Sequence, residues 1–178
     1  SLDWTPPKLI LSHLRKTGKV CADLTPIEAA FYLGLPLKRI VSAMLDAMVA
    51  NGFLEMVTES PLRVRVVRAP DLAQIGEHET MLFKALADDG EFSQKELEDF
   101  MNITVRGIQK KAWDADVEAT KKHYSTVIES WYSQLAPEKK PPAAQAAQNN
   151  DLPWFYWYYN NHRYYSNRPY DMHRSPYM

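Results

Sequence analysis

Residues 24–56 read LTPIEAAFYLGLPLKRIVSAMLDAMVANGFLEM, and this stretch decides the fold. Thr25-Pro26-Ile27-Glu28 is a helix start. Thr25 stands at the N-cap, Pro26 at the first helical position, and Glu28 reaches back from the third, which makes a capping box. The helix carries Ile27, Ala30, Phe31 and Leu33 and stops at Gly34. After Gly34-Leu35-Pro36 a second periodic run holds Leu37, Ile40, Val41, Met44, Leu45, Met48 and Val49. That i, i+3, i+4, i+7 spacing predicts an amphipathic helix to Asn51, with Gly52 behind it as the left-handed stop.

Working outward, Thr5-Pro6-Pro7 opens an earlier helix whose stripe is Leu9, Ile10 and Leu14 and whose end is Gly18. Downstream, residues 53–57 and 62–67 read as two strands joined by Thr58-Glu59-Ser60-Pro61. Leu62, Val64 and Val66 alternate with Arg63 and Arg65, the period of a half-buried hairpin. Helix, helix, tight turn, helix, hairpin is the order of a winged helix-turn-helix, and the pattern "LT…EAA…LGLP…I…L…M…GFLE" resembles that superfamily. The competing account is a plain three-helix bundle with a stray hairpin. The expected fold is mainly α: a winged helix-turn-helix domain over 1–70, followed by a helical extension with one long helix.

That extension, 71–136, begins with a short helix over 77–87 closed near Gly90. Ser93-Gln94-Lys95-Glu96 is another capping box and starts a helix to about Met101. Thr104 can cap the long helix, expected over 104–135, whose stripe runs Val105, Ile108, Ala112, Val117, Tyr124, Ile128, Trp131, Leu135. The stripe is expected to pack on the first domain or on its copy in a homodimer, because the aromatics Trp113, Tyr124 and Trp131 are together too apolar to be left in water. Asp114, Glu118 and Lys122 fall at i, i+4, i+8 and read as a solvated charged stripe. Residues 137–150 are linker by composition. Residues 151–178 form an aromatic tail with six aromatics in succession, 154–159.

The span 5–135 is also similar, more narrowly, to the cytosolic C-terminal region of an uncharacterised bacterial membrane-protein family, a domain of unknown function. The phrases that carry the likeness are "PPKLILSHL", "LTPIEAAFYL", "IVSAMLDAMVANGFLEM" and "HETMLFKALADDGEFSQKEL". The aromatic tail is outside that pattern. The resemblance implies a cytoplasmic location, tethered to the inner face of the membrane by residues upstream of Ser1; the family has no established activity, so the resemblance supplies location and not chemistry. The chain opens on Ser and not Met, so a fragment of a longer protein is expected.

Chemical signatures are sparse. There is no Gly-rich phosphate loop and no G-x-S-x-G elbow. The single cysteine, Cys21, has no histidine beside it in sequence. His123, His162 and His173 lack metal-ligand spacing. No catalytic residue, metal or cofactor is expected.

Partner chemistry turns on charge. Lys+Arg against Asp+Glu is 9 to 6 over residues 1–70, 7 to 13 over 71–135, and 5 to 3 over 136–178. In a winged helix the helix over 37–51 would enter the major groove. Lys38, Arg39 and Ser42 would then contact DNA, with Arg63 and Arg65 on the wing. Asp46 on that face and Glu59 at the wing tip oppose phosphate, and the small Ala43, Ala47 and Ala50 make a strip that suits a protein partner. A protein-binding module is the first reading and a DNA-binding regulator the alternative. For the tail, Trp154, Phe155, Trp157, Tyr158, Arg163 and Arg168 suit a bilayer interface. Folding back over the chain's own helices is the equal alternative, and stacking on single-stranded RNA a third.

Overall fold

The computed structural model describes residues 16–141, 150–162, 164 and 165. The helix expected over 5–18 therefore lies outside the described residues, apart from its end, where Gly18 takes φ +78°. The protein is mainly helical with one antiparallel hairpin. The elements are α1 (Pro26–Tyr32), α2 (Leu37–Ala50), β1 (Leu54–Thr58), β2 (Arg63–Val66), α3 (Glu77–Asp89), α4 (Gln94–Ala112), α5 (Val117–Ser133) and α6 (Leu152–Asn161).

The local signals of the deciding stretch operate as read. Thr25 Oγ1 accepts from Glu28 N at 3.2 Å, and Glu28 Oε1 accepts from Thr25 N at 2.9 Å. Gly34, at φ +89°, turns the chain from α1 into α2. The hairpin pairs Leu54 with Val66 and Met56 with Val64, with an irregularity between Met56 and Thr58. Leu54 and Val64 point into the core, whereas Arg63 and Arg65 face solvent. The hairpin's far side is fixed by α3, because Val64 N donates to Gly90 O at 3.0 Å.

The single long helix does not form. Thr104 sits in the middle of α4, buried, and its hydroxyl donates to Phe100 O at 2.8 Å instead of capping a new helix. The break falls at residues 113–116, where residues 16–19 are fastened. Asp116 Oδ1 caps α5 by accepting from Ala119 N at 3.1 Å, and its Oδ2 accepts from Gly18 N at 2.8 Å. Lys16 N donates to Asp114 O and Asp116 N to Lys19 O, both at 2.7 Å. Asp114 is consequently no part of a solvated stripe; it is buried and paired with Lys19.

The described part of the aromatic tail, residues 151–162, 164 and 165, is also not a surface segment. The main core joins Ile27 and Ala30 of α1, the apolar face of α2, the hairpin, Leu82 and Leu86 of α3, Phe100 of α4 and Ile128 of α5 around the side chains of α6. A second cluster links Cys21, Leu24, Ala29 and Tyr32 to Ile108, Ala112 and Tyr124. Both clusters cross residue 70, so the described chain has no packing gap at the division expected there. Tyr124 is buried and Trp131 half-buried against these clusters, within one chain.

Candidate functional site

The face of α2 expected to meet a partner is mostly enclosed. Ala43, Asp46 and Ala47 have no exposed surface, and Ala50 is half-buried. The cover is α6. Arg39 Nε and Nη2 donate to Asp151 Oδ2 and Oδ1 at 2.9 and 3.0 Å, a bidentate clasp between the start of α2 and the start of α6. At the other end Asn51 Nδ2 donates to Tyr159 OH at 3.1 Å while also donating to Ala47 O at 2.8 Å. Burial, then the neighbouring Tyr132 and Asp46, push the Tyr156 phenol far up, so it stays protonated. Of the expected α2 contacts, Lys38 is exposed and Ser42 half-buried.

On α6 itself, Trp154, Phe155, Tyr156, Tyr158 and Tyr159 are buried, and Trp157 is half-buried against Tyr124. Trp154 Nε1 donates to Pro26 O at 2.9 Å, and its ring stacks on Tyr158 with centroids 5.4 Å apart. These rings line the interior. Arg163 and Arg168 lie outside the described residues. No helix among the described residues is long and apolar enough to cross a membrane.

The hairpin cations face carboxylates. Arg63 Nε is 3.5 Å from Glu91 Oε1, and Arg65 pairs with Glu55 across the hairpin. The structure thus does not bring Lys38, Arg39, Ser42, Arg63 and Arg65 together as one basic surface; three of the four cations are each met by an acid.

Sequence reading missed a buried polar cluster where α3 begins. Glu79 Oε2 accepts from Tyr158 OH at 2.9 Å, and Glu79 Oε1 lies 3.6 Å from His162 Nε2. His162 Nδ1 accepts from Tyr164 N at 3.3 Å, which leaves the ring proton facing Glu79. Burial raises the Glu79 pKa, yet His162 and Tyr158 outweigh it, so the carboxyl ends below its usual range. His78 Nε2 lies 2.8 Å from Thr104 Oγ1. With the Thr104 hydroxyl proton given to Phe100 O, His78 must donate. Burial lowers the His78 pKa and keeps the ring neutral. Nearby, Lys111 Nζ donates to Glu28 Oε1 at 2.6 Å. A cleft of about 360 Å³ opens beside these groups. Their common signal in sequence is weak, because Glu28 reads as a cap and Glu79 as one acid among many in a first turn.

Cys21 is a poor nucleophile: burial, then its hydrogen bond with Asp23, push the thiol up to about 11. No cluster of His, Cys, Asp or Glu among the described residues is arranged to hold a metal ion. Compared with known proteins, the chain matches no family model, no curated protein and no solved structure.

Proposed function

We propose that this protein is a non-enzymatic winged-helix interaction module that binds a protein partner through a surface other than its helix-turn-helix face. The supporting order is helix, tight turn, helix, hairpin. The observation that carries the reading is the enclosure of α2 by α6, with Arg39 clasped to Asp151 and Asp46 buried. DNA affinity rests on neutralising several phosphates. Here three of the four would-be cationic contacts, Arg39, Arg63 and Arg65, are faced by acids, and residues 71–135 carry 13 acids against 7 bases. What stays exposed is apolar as well as acidic: Val57, Val67, Leu72 and Trp113. The non-enzymatic part of the proposal draws support from the polar cluster, whose members hold helices together: Glu28 caps α1, and Glu79 ties α3 to α6.

The test is titration of labelled mixed-sequence and genomic duplex DNA with the intact protein at physiological salt. Binding is expected no tighter than the nonspecific range of about 10⁻⁴ to 10⁻⁶ M. Sub-micromolar binding that Lys38→Ala abolishes would overturn the reading.

A further inference from the structure

An open concavity lies away from α2, in the valley between α3 and α4, and measures about 710 Å³. Its construction follows from the two helices' other duties. α3 turns His78, Leu82, Phe83 and Leu86 into the core, and α4 turns in Phe100, Met101, Thr104 and Ile108. The flanks of both helices are left facing each other across Ala85, whose small side chain forms the floor. Leu72, Ile75, Met81 and Ile103 wall the valley with apolar surface that is exposed or half-exposed. Glu77, Asp88, Glu96 and Asp99 stand on its rim, against the one lining base, Lys84. Lys95 Nζ donates to Asp99 Oδ1 at 2.7 Å, so four acids against two bases leave the rim at −2. The apolar walls and the rim charge are separate properties, and together they select one kind of visitor.

The geometry points to this valley as a docking groove for an amphipathic, basic helix of a partner protein. The partner's apolar stripe, at i, i+3 or i+4 and i+7, lies along Met81, Ala85 and Ile103. Its flanking Lys or Arg side chains meet Asp88, Asp99 and Glu77. An acidic helix is repelled by Glu77 and Asp88, whereas a purely apolar one gains nothing from them. This inference rests on the protein-binding reading and names its surface; the DNA titration tests that reading separately, so the two can fail independently.

The experiment uses the intact protein and a fluorescent synthetic helix of about four turns, with Leu at the stripe positions and Lys at the others. A matched helix carries Glu for every Lys. Anisotropy is expected to show saturable binding of the Lys helix in the micromolar range and none of the Glu helix. Asp88→Lys combined with Asp99→Lys, both at the surface, should weaken the Lys helix at least about tenfold while the melting temperature stays within a few degrees. Labelled methionine methyls should show Met81 shifting on titration. Ile103→Arg is a second block, checked for folding by its melt. Equal binding to the reversed-rim protein, binding of the Glu helix, or a Met81 methyl that does not move would each overturn the proposal. So would a self-associating protein whose dimer the reversed rim disrupts, since the occupant would then be a second copy.

Discussion

Asp46 in sequence is a charge one turn beyond Ser42, placed to repel phosphate; in the fold it has no exposed surface. The residue type was legible, but which side of α2 is covered depends on a segment a hundred positions away. His78 repeats the lesson at a polar position, because its partner Thr104 was read as a helix cap and is instead its hydrogen-bond acceptor. Since burial lowers the His78 pKa, the unfolded chain takes up a proton first as pH falls below about 6.5. Stability is therefore lost from there downward. Glu79, whose folded carboxyl is depressed, contributes above its unfolded pKa near about 4.3 and loses that contribution only at lower pH. Melting at pH 7.5 and pH 5 isolates the histidine: His78→Gln should shrink the difference, and an unchanged difference would contradict the assignment. Gly90 offers a backbone test. It has φ +76°, and a Cβ there would meet Val64 O at 2.7 Å. Gly90→Ala should cost about 1–3 kcal/mol in denaturant melts.

At the scale of elements, the capping boxes at Thr25 and Ser93, and the helix stops at Gly34, Gly52 and Gly90, were readable because each is set by a few adjacent residues. The break between α4 and α5 was not, because the apolar stripe resumes beyond it after a single irregular step, the five residues from Ala112 to Val117. Besides that step, Asp116, a cap with a tertiary partner at Gly18, marks it. Asp116→Ala removes both hydrogen bonds and should cost about 1–2 kcal/mol, with Asp116→Asn recovering part of it. Similarly, Arg39→Ala frees the start of α6. The pair is partly exposed, so a loss of about 1 kcal/mol is expected, without any change in DNA affinity. Arg39→Lys should recover little, because a lysine cannot reproduce the two parallel bonds to Asp151.

For the whole molecule, α6 is the element whose meaning composition could not supply. A run of aromatics without aliphatics suits a bilayer interface and a protein interior equally, and only a missing patch of core decides between them. The core formed by the earlier elements has that patch. Five buried rings of α6, Trp154, Phe155, Tyr156, Tyr158 and Tyr159, fill it. At about 2–3 kcal/mol gross for each, their burial is comparable to the whole stability of an ordinary domain, about 5–15 kcal/mol. The helix is thus a structural part and not a lid, and the face of α2 beneath it is not offered to DNA by a small opening. Phe155→Ala should cost about 3–5 kcal/mol.

Native-state hydrogen exchange under increasing denaturant tests the enclosure of α2 by α6 most directly. The account predicts that the slowest amides of α2 and α6 exchange with one free energy, equal to that of global unfolding. If α6 opened several kcal/mol below the global transition while α2 stayed protected, the helix would be a detachable cover, and the account would be contradicted.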